Sequence, residues 1–290
     1  MALAFGEHND VIFKKAPLVT VLAVIRFEPV LSLMSEVGIV GFQEGIRSRY
    51  PHFSNKESGE IQIENQQPNV RNINVRKVPP VWMMQDESNR WRVSLAADFI
   101  GFQTLTYRNF DEFLERLMDI LAVLDRTVHV SNSTRIGLRK INILTHPNIS
   151  SPRDWKELLR PELLGIAGIE HPGQLSNHRS TTSIKDGHAQ FTIISGPICK
   201  TESEFIKNSL QLTPAAKSES LESKTNESLV DILFDLDYGT IAPCRVGNGE
   251  EISKVLKEFS SGITSFFHWS ITQKYYDWLE PELRDIKNEK

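Results

Sequence analysis

The sequence predicts an α+β fold in which antiparallel strands form one or two sheets and helices pack on one face. The first observation is that alternating or β-branched stretches are interspersed with stretches whose apolar residues recur at the helical period. The second is that their order, β-α-β-β-β-α, occurs twice, in residues 1–130 and in residues 131–290. We therefore expect two duplicated halves, as two domains or as one composite domain, with a long C-terminal helix.

In the first half, a stretch rich in β-branched residues predicts a strand over 16–30 that is buried near its middle. An amphipathic helix is predicted over 32–50, because four apolar residues recur there at helical spacing. These residues, which we expect to form the buried face, are Leu33, Val37, Val40 and Ile46. Alternation at residues 60–64 predicts a short strand.

Residues 81–95 predict a hairpin whose turn is the polar run 86–89. We expect its second arm to continue to about Tyr107, with a bulge at Gly101. Asn109 and Glu112 then have the spacing of a capping box. The apolar stripe that follows predicts a helix to about residue 126.

The second half begins with a strand predicted over 134–144. Ser151 followed by Pro152 marks a helix start, because serine caps helices and proline fits the first helical position. Asp186-Gly187 predicts the turn of a hairpin with arms at 181–185 and 188–195.

The last part of the chain alternates between polar and strongly apolar stretches. Residues 200–228 are rich in Ser, Glu, Lys and Thr and predict a mobile polar loop, with or without a short helix. Clean alternation predicts a strand over 229–236, and residues 251–278 predict one long helix.

Composition limits the classes of function. The 290 residues are 40% hydrophobic and 24% charged, and 33 Lys and Arg against 37 Asp and Glu give a net charge of −4. This balance excludes binding to nucleic acid or anionic membranes by bulk charge, although a local basic patch stays open. Cys199 and Cys244 have no CxxC spacing, which favours a reduced chain. With no signal peptide pattern or long apolar run, we expect a cytoplasmic protein.

The common catalytic motifs are absent from the sequence. It contains no dinucleotide-binding glycine fingerprint, P-loop, nucleophile elbow or zinc protease motif. We therefore expect a non-catalytic protein with no cofactor and name no catalytic residue.

Two clusters of charged residues are candidate binding sites. Arg135 and Arg139 share one face of a predicted strand and, with Arg92, are candidates for binding an anion or nucleic acid. The alternatives are a solvated sheet face or ion pairs. A set of carboxylates on the strand at 229–236 could hold Mg²⁺, although the alternation of a half-buried strand also explains it. That set is Asp231, Asp235 and Asp237, with Asp98 as a further contributor.

Histidines and aromatic residues give weaker patterns. The spacings of His171, His178 and His188 match no closed zinc site. A second group places aromatic rings beside arginines, as base-stacking surfaces do, although the tryptophans could equally form a core pair. It comprises Trp82, Trp91 and Tyr107, with Arg90, Arg92 and Arg108 adjacent and Arg71, Arg76 and Lys77 upstream.

Four aromatic residues near the end of the C-terminal helix are candidates for binding a partner protein. If the helix projects beyond the domain, they form an exposed surface of the kind that dominates protein interfaces. If it does not, they belong to the core. They are Trp269, Tyr275, Tyr276 and Trp278.

The sequence resembles a sporadically distributed, uncharacterised bacterial family of about this length, over nearly the whole chain. The most specific part of the resemblance is the run Arg135-Ile136-Gly137-Leu138-Arg139-Lys140-Ile141-Asn142. Three other parts are Ala16-Pro17-Leu18-Val19 leading to Ile25-Arg26-Phe27 and Pro29, the segment 42–51, and Phe267-His268-Trp269-Ser270-Ile271-Thr272. The resemblance implies a prokaryotic cytosolic protein encoded by an accessory gene, as in phage defence or toxin–antitoxin pairs. It supplies no functional residues.

Together these observations favour a protein-interaction subunit of a bacterial accessory system, which binds a partner or itself through the sheet edge or the C-terminal helix. The second hypothesis is a nucleic-acid-binding protein that uses a basic sheet face. The third is a metal-dependent phosphoryl-transfer enzyme or nuclease that uses the aspartates.

Overall fold

The computed structural model describes residues 3–6, 11–56, 59–67, 70–77, 79–130, 133–170, 173–210, 227–241 and 249–283. The strands are β1 (Val11–Phe13), β2 (Leu18–Phe27), β3 (His52–Lys56), β4 (Gly59–Gln67), β5 (Val70–Lys77), β6 (Val81–Gln85), β7 (Trp91–Leu95), β8 (Phe99–Thr104), β9 (Ser133–Leu144), β10 (Ser180–Asp186), β11 (Ala189–Cys199), β12 (Leu229–Thr240) and β13 (Pro281–Leu283). The helices are α1 (Glu36–Ile46), α2 (Phe110–Val128), α3 (Lys200–Leu210), α4 (Gly249–Ser270) and α5 (Gln273–Trp278). Short 3-10 helices span Leu31–Met34, Pro152–Glu157, Pro161–Leu163 and Gly165–Gly168.

A nine-stranded antiparallel sheet forms the centre of the protein, in the order β10-β11-β12-β9-β2-β8-β7-β6-β3. The central pair, β2 and β9, joins the two halves of the chain. Two small two-stranded sheets, β1-β13 and β4-β5, lie outside it. The predicted α+β class with an antiparallel sheet is confirmed.

The two long helices, α2 and α4, pack on one face of the sheet, as predicted. Alternation along β2 turns Val21, Ala23, Ile25 and Phe27 toward them, and all four are buried. We call this side the helix-covered face. On the opposite face, α3 contributes Ile206 and Leu210 to a smaller apolar cluster over β9, β11 and β12.

The sheet has the same plan on both sides of its central pair. Going outward from β2 the neighbours are β8, β7 and β6, and going outward from β9 they are β12, β11 and β10. The innermost strand of each set, β8 or β12, leads to a long helix, α2 or α4. The internal duplication is nevertheless not confirmed, because the first half contains α1 and β3 where the second has three 3-10 helices.

Several predicted elements match the structure closely. Asn109 caps α2, and its side chain accepts a hydrogen bond from the Glu112 backbone N–H at 2.8 Å. The hairpin around Asp186-Gly187 and the strand at 229–236 are present as β10, β11 and β12. Ser151 forms the expected capping arrangement, but it begins a six-residue 3-10 helix.

The prediction that residues 90–107 form one continuous second arm of the hairpin is wrong. This segment forms two strands, β7 and β8, joined by a tight turn in which the Ala96 N–H donates to the Phe99 carbonyl at 2.9 Å. Gly101 forms no bulge, because it pairs in register with Val24 and Ser94. The turn contains Ala96 and Ala97, which carry none of the usual turn signals.

The single helix predicted over 251–278 is also wrong, because α4 ends at Ser270. At this point, backbone hydrogen bonds to the segment around Leu158 and Arg160 replace the hydrogen bonds within the helix. The Thr272 N–H donates to the Leu158 carbonyl at 2.9 Å, and the Arg160 N–H donates to the Ser270 carbonyl at 3.0 Å. In the loop predicted over 200–228, residues 200–210 form α3, and residues 211–226 lie outside the described part.

Candidate functional site

The face of the sheet opposite α2 and α4 carries the arginines and aspartates that the sequence singled out, and β9 and β12 bring them together. The Arg139 Nε donates to Asp235 Oδ1 at 2.6 Å, and its Nη2 bonds the other carboxylate oxygen. The Arg135 Nη2 lies 3.3 Å from Asp237 Oδ2. The hydrogen bonds to Asp235 raise the pKa of Arg139, because the carboxylate stabilises the charged guanidinium. The two candidate clusters therefore neutralise each other.

The remaining aspartates also form ion pairs with basic side chains. The Lys200 Nζ donates to Asp231 Oδ1 at 2.6 Å, and Asp231 is buried. Asp98 bonds the Arg26 guanidinium at 2.9 Å. Among the described residues, no three His, Cys, Asp or Glu side chains are grouped so that they could hold a metal ion. A metal at Asp231, Asp235 and Asp237 stays a prediction, and it would have to displace these partners.

Arg92 lies on the same face but apart from Arg139. In register, Arg92 is opposite Gln103, Gln103 is opposite Leu22, and Leu22 is opposite Arg139. Three strand spacings, roughly 14 Å, therefore separate the two arginine backbones. The Arg92 Nη2 donates to Gln103 Oε1 at 2.5 Å, and burial lowers the pKa of Arg92. Binding of an anion or nucleic acid by this face stays a prediction, but the three arginines do not form one pocket.

The tryptophans of the predicted stacking surface are on the wrong face for that role. Trp82 and Trp91 are buried on the helix-covered face, where Trp91 stacks on Phe102 with ring centres 5.3 Å apart. Both are core residues. The side chains of Arg71, Arg76 and Lys77 lie outside the described part of the chain.

The histidines form no group in the described part of the chain. His178 precedes β10, whereas His188 lies in the turn at its far end. The seven residues of β10 separate them by roughly 23 Å. His171 and Cys244 lie outside the described residues.

The aromatic residues of the C-terminal segment do not project from the protein. Tyr275 is fully buried, its ring meets that of Trp155, and its hydroxyl donates to the Thr145 carbonyl at 3.2 Å. This burial raises the pKa of Tyr275. Trp278 stacks on Tyr275 with ring centres 5.4 Å apart. These two residues hold α5 against the body of the protein, and their role in partner binding stays a prediction.

Trp269 and Tyr276 line an open cleft of about 880 Å³ beside the segment 3–6. Arg160 lies over the Trp269 ring at 4.8 Å, and its Nε donates to the Trp269 carbonyl at 2.5 Å. Of the four aromatic residues predicted to bind a partner, these two border a cavity.

Four exposed apolar side chains that the sequence did not predict lie on the 3-10 helix Leu31–Met34 and on α1. The exposed fractions of these side chains are 75% for Leu31, 41% for Met34, 85% for Val37 and 54% for Val40. We call these four residues the α1 patch. The buried side of the same segment consists of Leu33, Ile39, Phe42 and Ile46.

Sequence periodicity placed Val37 and Val40 on the buried face, and the structure corrects this. In this orientation α1 approaches α2 through its glycines. A Cβ at Gly45 would lie 2.4 Å from Val123 Cγ1 of α2, and one at Gly41 would lie 3.8 Å from Thr127. The helix therefore turns its glycine side to α2 and its valines outward. Two glycines four residues apart were the available signal for this contact.

The α1 patch lies beside an end strand of the sheet. Phe53 of β3 is 45% exposed and stacks on Trp82, with ring centres 6.0 Å apart. The Trp82 Nε1 in turn donates to the Leu33 carbonyl at 2.8 Å. β3 ends the nine-stranded sheet, so one side of its backbone faces no further strand of that sheet.

The strand at the other end of the sheet, β10, exposes no large apolar side chain. The exposed side chains of β10 include Thr181, Thr182, Ser183 and Lys185. Polar side chains and a lysine are typical of an edge that resists pairing. β3 is also mostly polar, with His52, Ser54, Asn55 and Lys56, but it exposes Phe53 and adjoins the α1 patch, and these two features make it the candidate for docking.

No protein-family model matches the chain, and no curated protein is significantly similar to it. In the part of the chain that the structure describes, no helix is both long and apolar enough to span a bilayer.

Proposed function

We propose that the protein is a non-catalytic protein-interaction subunit that docks another chain on the α1 patch and the β3 edge. One observation carries the proposal: four large apolar side chains are exposed together beside an end strand that itself exposes Phe53. Contiguous exposed apolar surface of this kind is typical of interaction sites.

The energetics favour docking at this surface. Burying an apolar side chain of this size contributes about 1.5–3 kcal/mol. Four such residues supply several kcal/mol toward the cost of association. An added strand at β3 would satisfy backbone groups on the open side of that strand and fix the orientation of the partner.

The partner to which we commit is a second copy of this chain, because the charges around the α1 patch complement themselves. Glu36 lies at the N-terminal end of α1 and Arg47 directly follows its C-terminal end, and both are exposed. Arg47 forms an exposed ion pair with Glu44 at 3.2 Å, which the Glu36 of a second copy would share. Two copies of α1 packed antiparallel place Glu36 of each copy opposite Arg47 of the other.

The bacterial resemblance supports the wider setting of this proposal. A self-associating subunit without catalytic motifs fits an accessory system such as phage defence or a toxin–antitoxin pair, acting in the cytoplasm. This assignment depends on the resemblance and not on the geometry.

The test measures molar mass by light scattering over a concentration series of the whole protein. We expect a dimer for the wild type and, for Val37→Asp, a monomer that still unfolds cooperatively, with a melting temperature that no longer depends on protein concentration. Ile169→Asp is the matched control, since Ile169 is 57% exposed and outside the α1 patch. A wild-type monomer at every concentration, or dimers for both variants, would overturn the proposal.

A further inference from the structure

A cavity of about 560 Å³ lies between α2 and α4, above the central strands. The two helices run antiparallel there, so the second half of α2 lies beside the first turn of α4. The volume falls in the range of about 300–1,000 Å³ that is typical of small-molecule sites. The cavity shares no residue with the α1 patch.

The floor and walls of the cavity are apolar. Ile25 and Phe27 come from β2, Leu121 and Leu124 from α2, and Ile252 from α4. Met118 also contributes to the lining, and a methionine adapts easily to ligands of different shape. These residues fit the apolar body of a small molecule.

The rim of the cavity is acidic. Asp125 and Glu250 contribute exposed carboxylates and Ser253 contributes a hydroxyl, whereas Ser133 of the lining is buried. None of the described lining residues is basic, and neither carboxylate forms an ion pair with a described residue.

We propose that this cavity binds a small organic cation, an amine with an aryl or alkyl body. The apolar body enters between α2 and α4, and the ammonium group stays at the rim near Asp125 and Glu250. Charge complementarity selects the amine over an acid of the same shape.

The test uses three probes of equal length, 4-phenylbutylamine, 4-phenylbutan-1-ol and 4-phenylbutyrate, with the whole protein. Binding is followed by NMR of ¹³C-methyl-labelled methionine, with the Met118 signal assigned through Met118→Leu. We expect the amine to shift the Met118 signal but not that of Met84, which is fully buried in β6. The amine should bind about fivefold more tightly than the alcohol, and the acid most weakly.

Two variants and one control test whether the probes bind in this cavity. Ala122 is exposed at the rim, so Ala122→Trp should fill the cavity and abolish binding of all three probes while the protein stays folded. The double variant Asp125→Asn, Glu250→Gln should bind amine and alcohol equally, whereas Glu204→Gln on α3 should change nothing. An unmoved Met118 signal, or an acid that binds as well as the amine in the wild type, would overturn the proposal.

Discussion

Phe53 stacks on Trp82 at a ring-centre distance of 6.0 Å, with the first ring half exposed and the second buried. The pair connects the end of the sheet to the core. Because the Trp82 Nε1 also donates to the Leu33 carbonyl, the same indole fixes the 3-10 helix that carries Leu31 and Met34. The proposed docking surface therefore has a rigid support.

Trp82→Phe should destabilise the native protein. The substitution removes the indole N–H and leaves the Leu33 carbonyl without this donor. An unsatisfied buried carbonyl costs about 1–3 kcal/mol, which we expect as a decrease in the free energy of unfolding measured in urea. A variant as stable as the wild type would show that the hydrogen bond does not fix this segment.

Gly45→Ala tests the contact that orients α1. The added Cβ would lie 2.4 Å from Val123 Cγ1, which is too close for either atom to stay in place. We expect a loss of about 1–3 kcal/mol in the free energy of unfolding, since crowding of a packed contact costs this much.

Val123→Ala provides the matched control for Gly45→Ala. It removes the clashing methyl group, so the double variant should recover most of the stability lost by Gly45→Ala alone. Additive losses in the double variant would contradict the packing of α1 on α2 described above.

Lys140 is the unusual polar residue of the helix-covered face. It is buried, and its Nζ donates to Ser260 Oγ at 3.0 Å and to Thr264 Oγ1 at 3.3 Å. The Tyr107 and Phe110 rings lie 5.6 and 5.8 Å from the amine. Burial lowers the pKa of Lys140 from 10.5 to about 8, because these neutral groups replace water poorly around a charge.

This pKa shift predicts that buried Lys140 lowers the free energy of unfolding by an amount that depends on pH. Between pH 8 and 10.5 the unfolded chain binds more protons at Lys140 than the folded protein does, so stability rises with pH across that window. The full penalty, about 3 kcal/mol, applies below pH 8. We expect Lys140→Met to be the more stable protein at pH 7 and to lose most of that advantage by pH 10.5, as measured by urea unfolding. An advantage that does not change with pH would contradict the shift.

Local sequence signals were sufficient for the central elements of the fold. The β-branched run of β2, the capped apolar stripe of α2 and the Asp186-Gly187 turn each specify their element without help from distant residues. The break at Ile271 could not be predicted in this way. It depends on backbone bonds to Leu158 and Arg160, more than one hundred residues away in sequence.

For the candidate sites, too, local sequence signals predicted some features, whereas others depend on contacts between distant segments. Spacing along β9 correctly placed Arg135 and Arg139 on one face, but their pairing with Asp235 and Asp237 depends on the register of β9 against β12. The α1 patch was missed because apolar periodicity alone does not say which of two apolar faces is buried. In the structure Ile39, Phe42 and Ile46 are buried, and Gly45 allows the close approach of α1 to Val123.

The most direct test of the central claim exchanges the charges at the two ends of the α1 patch. In an antiparallel pair of α1 helices, Glu36→Arg places two arginines together at each end, and Arg47→Glu places two glutamates together. We expect each variant alone to dimerise about tenfold more weakly than the wild type. An equimolar mixture should form a heterodimer with near wild-type affinity, since opposite charges then meet at both ends. Light scattering of the two variants, separate and mixed, measures this; a mixture that associates no better than its components would contradict the account.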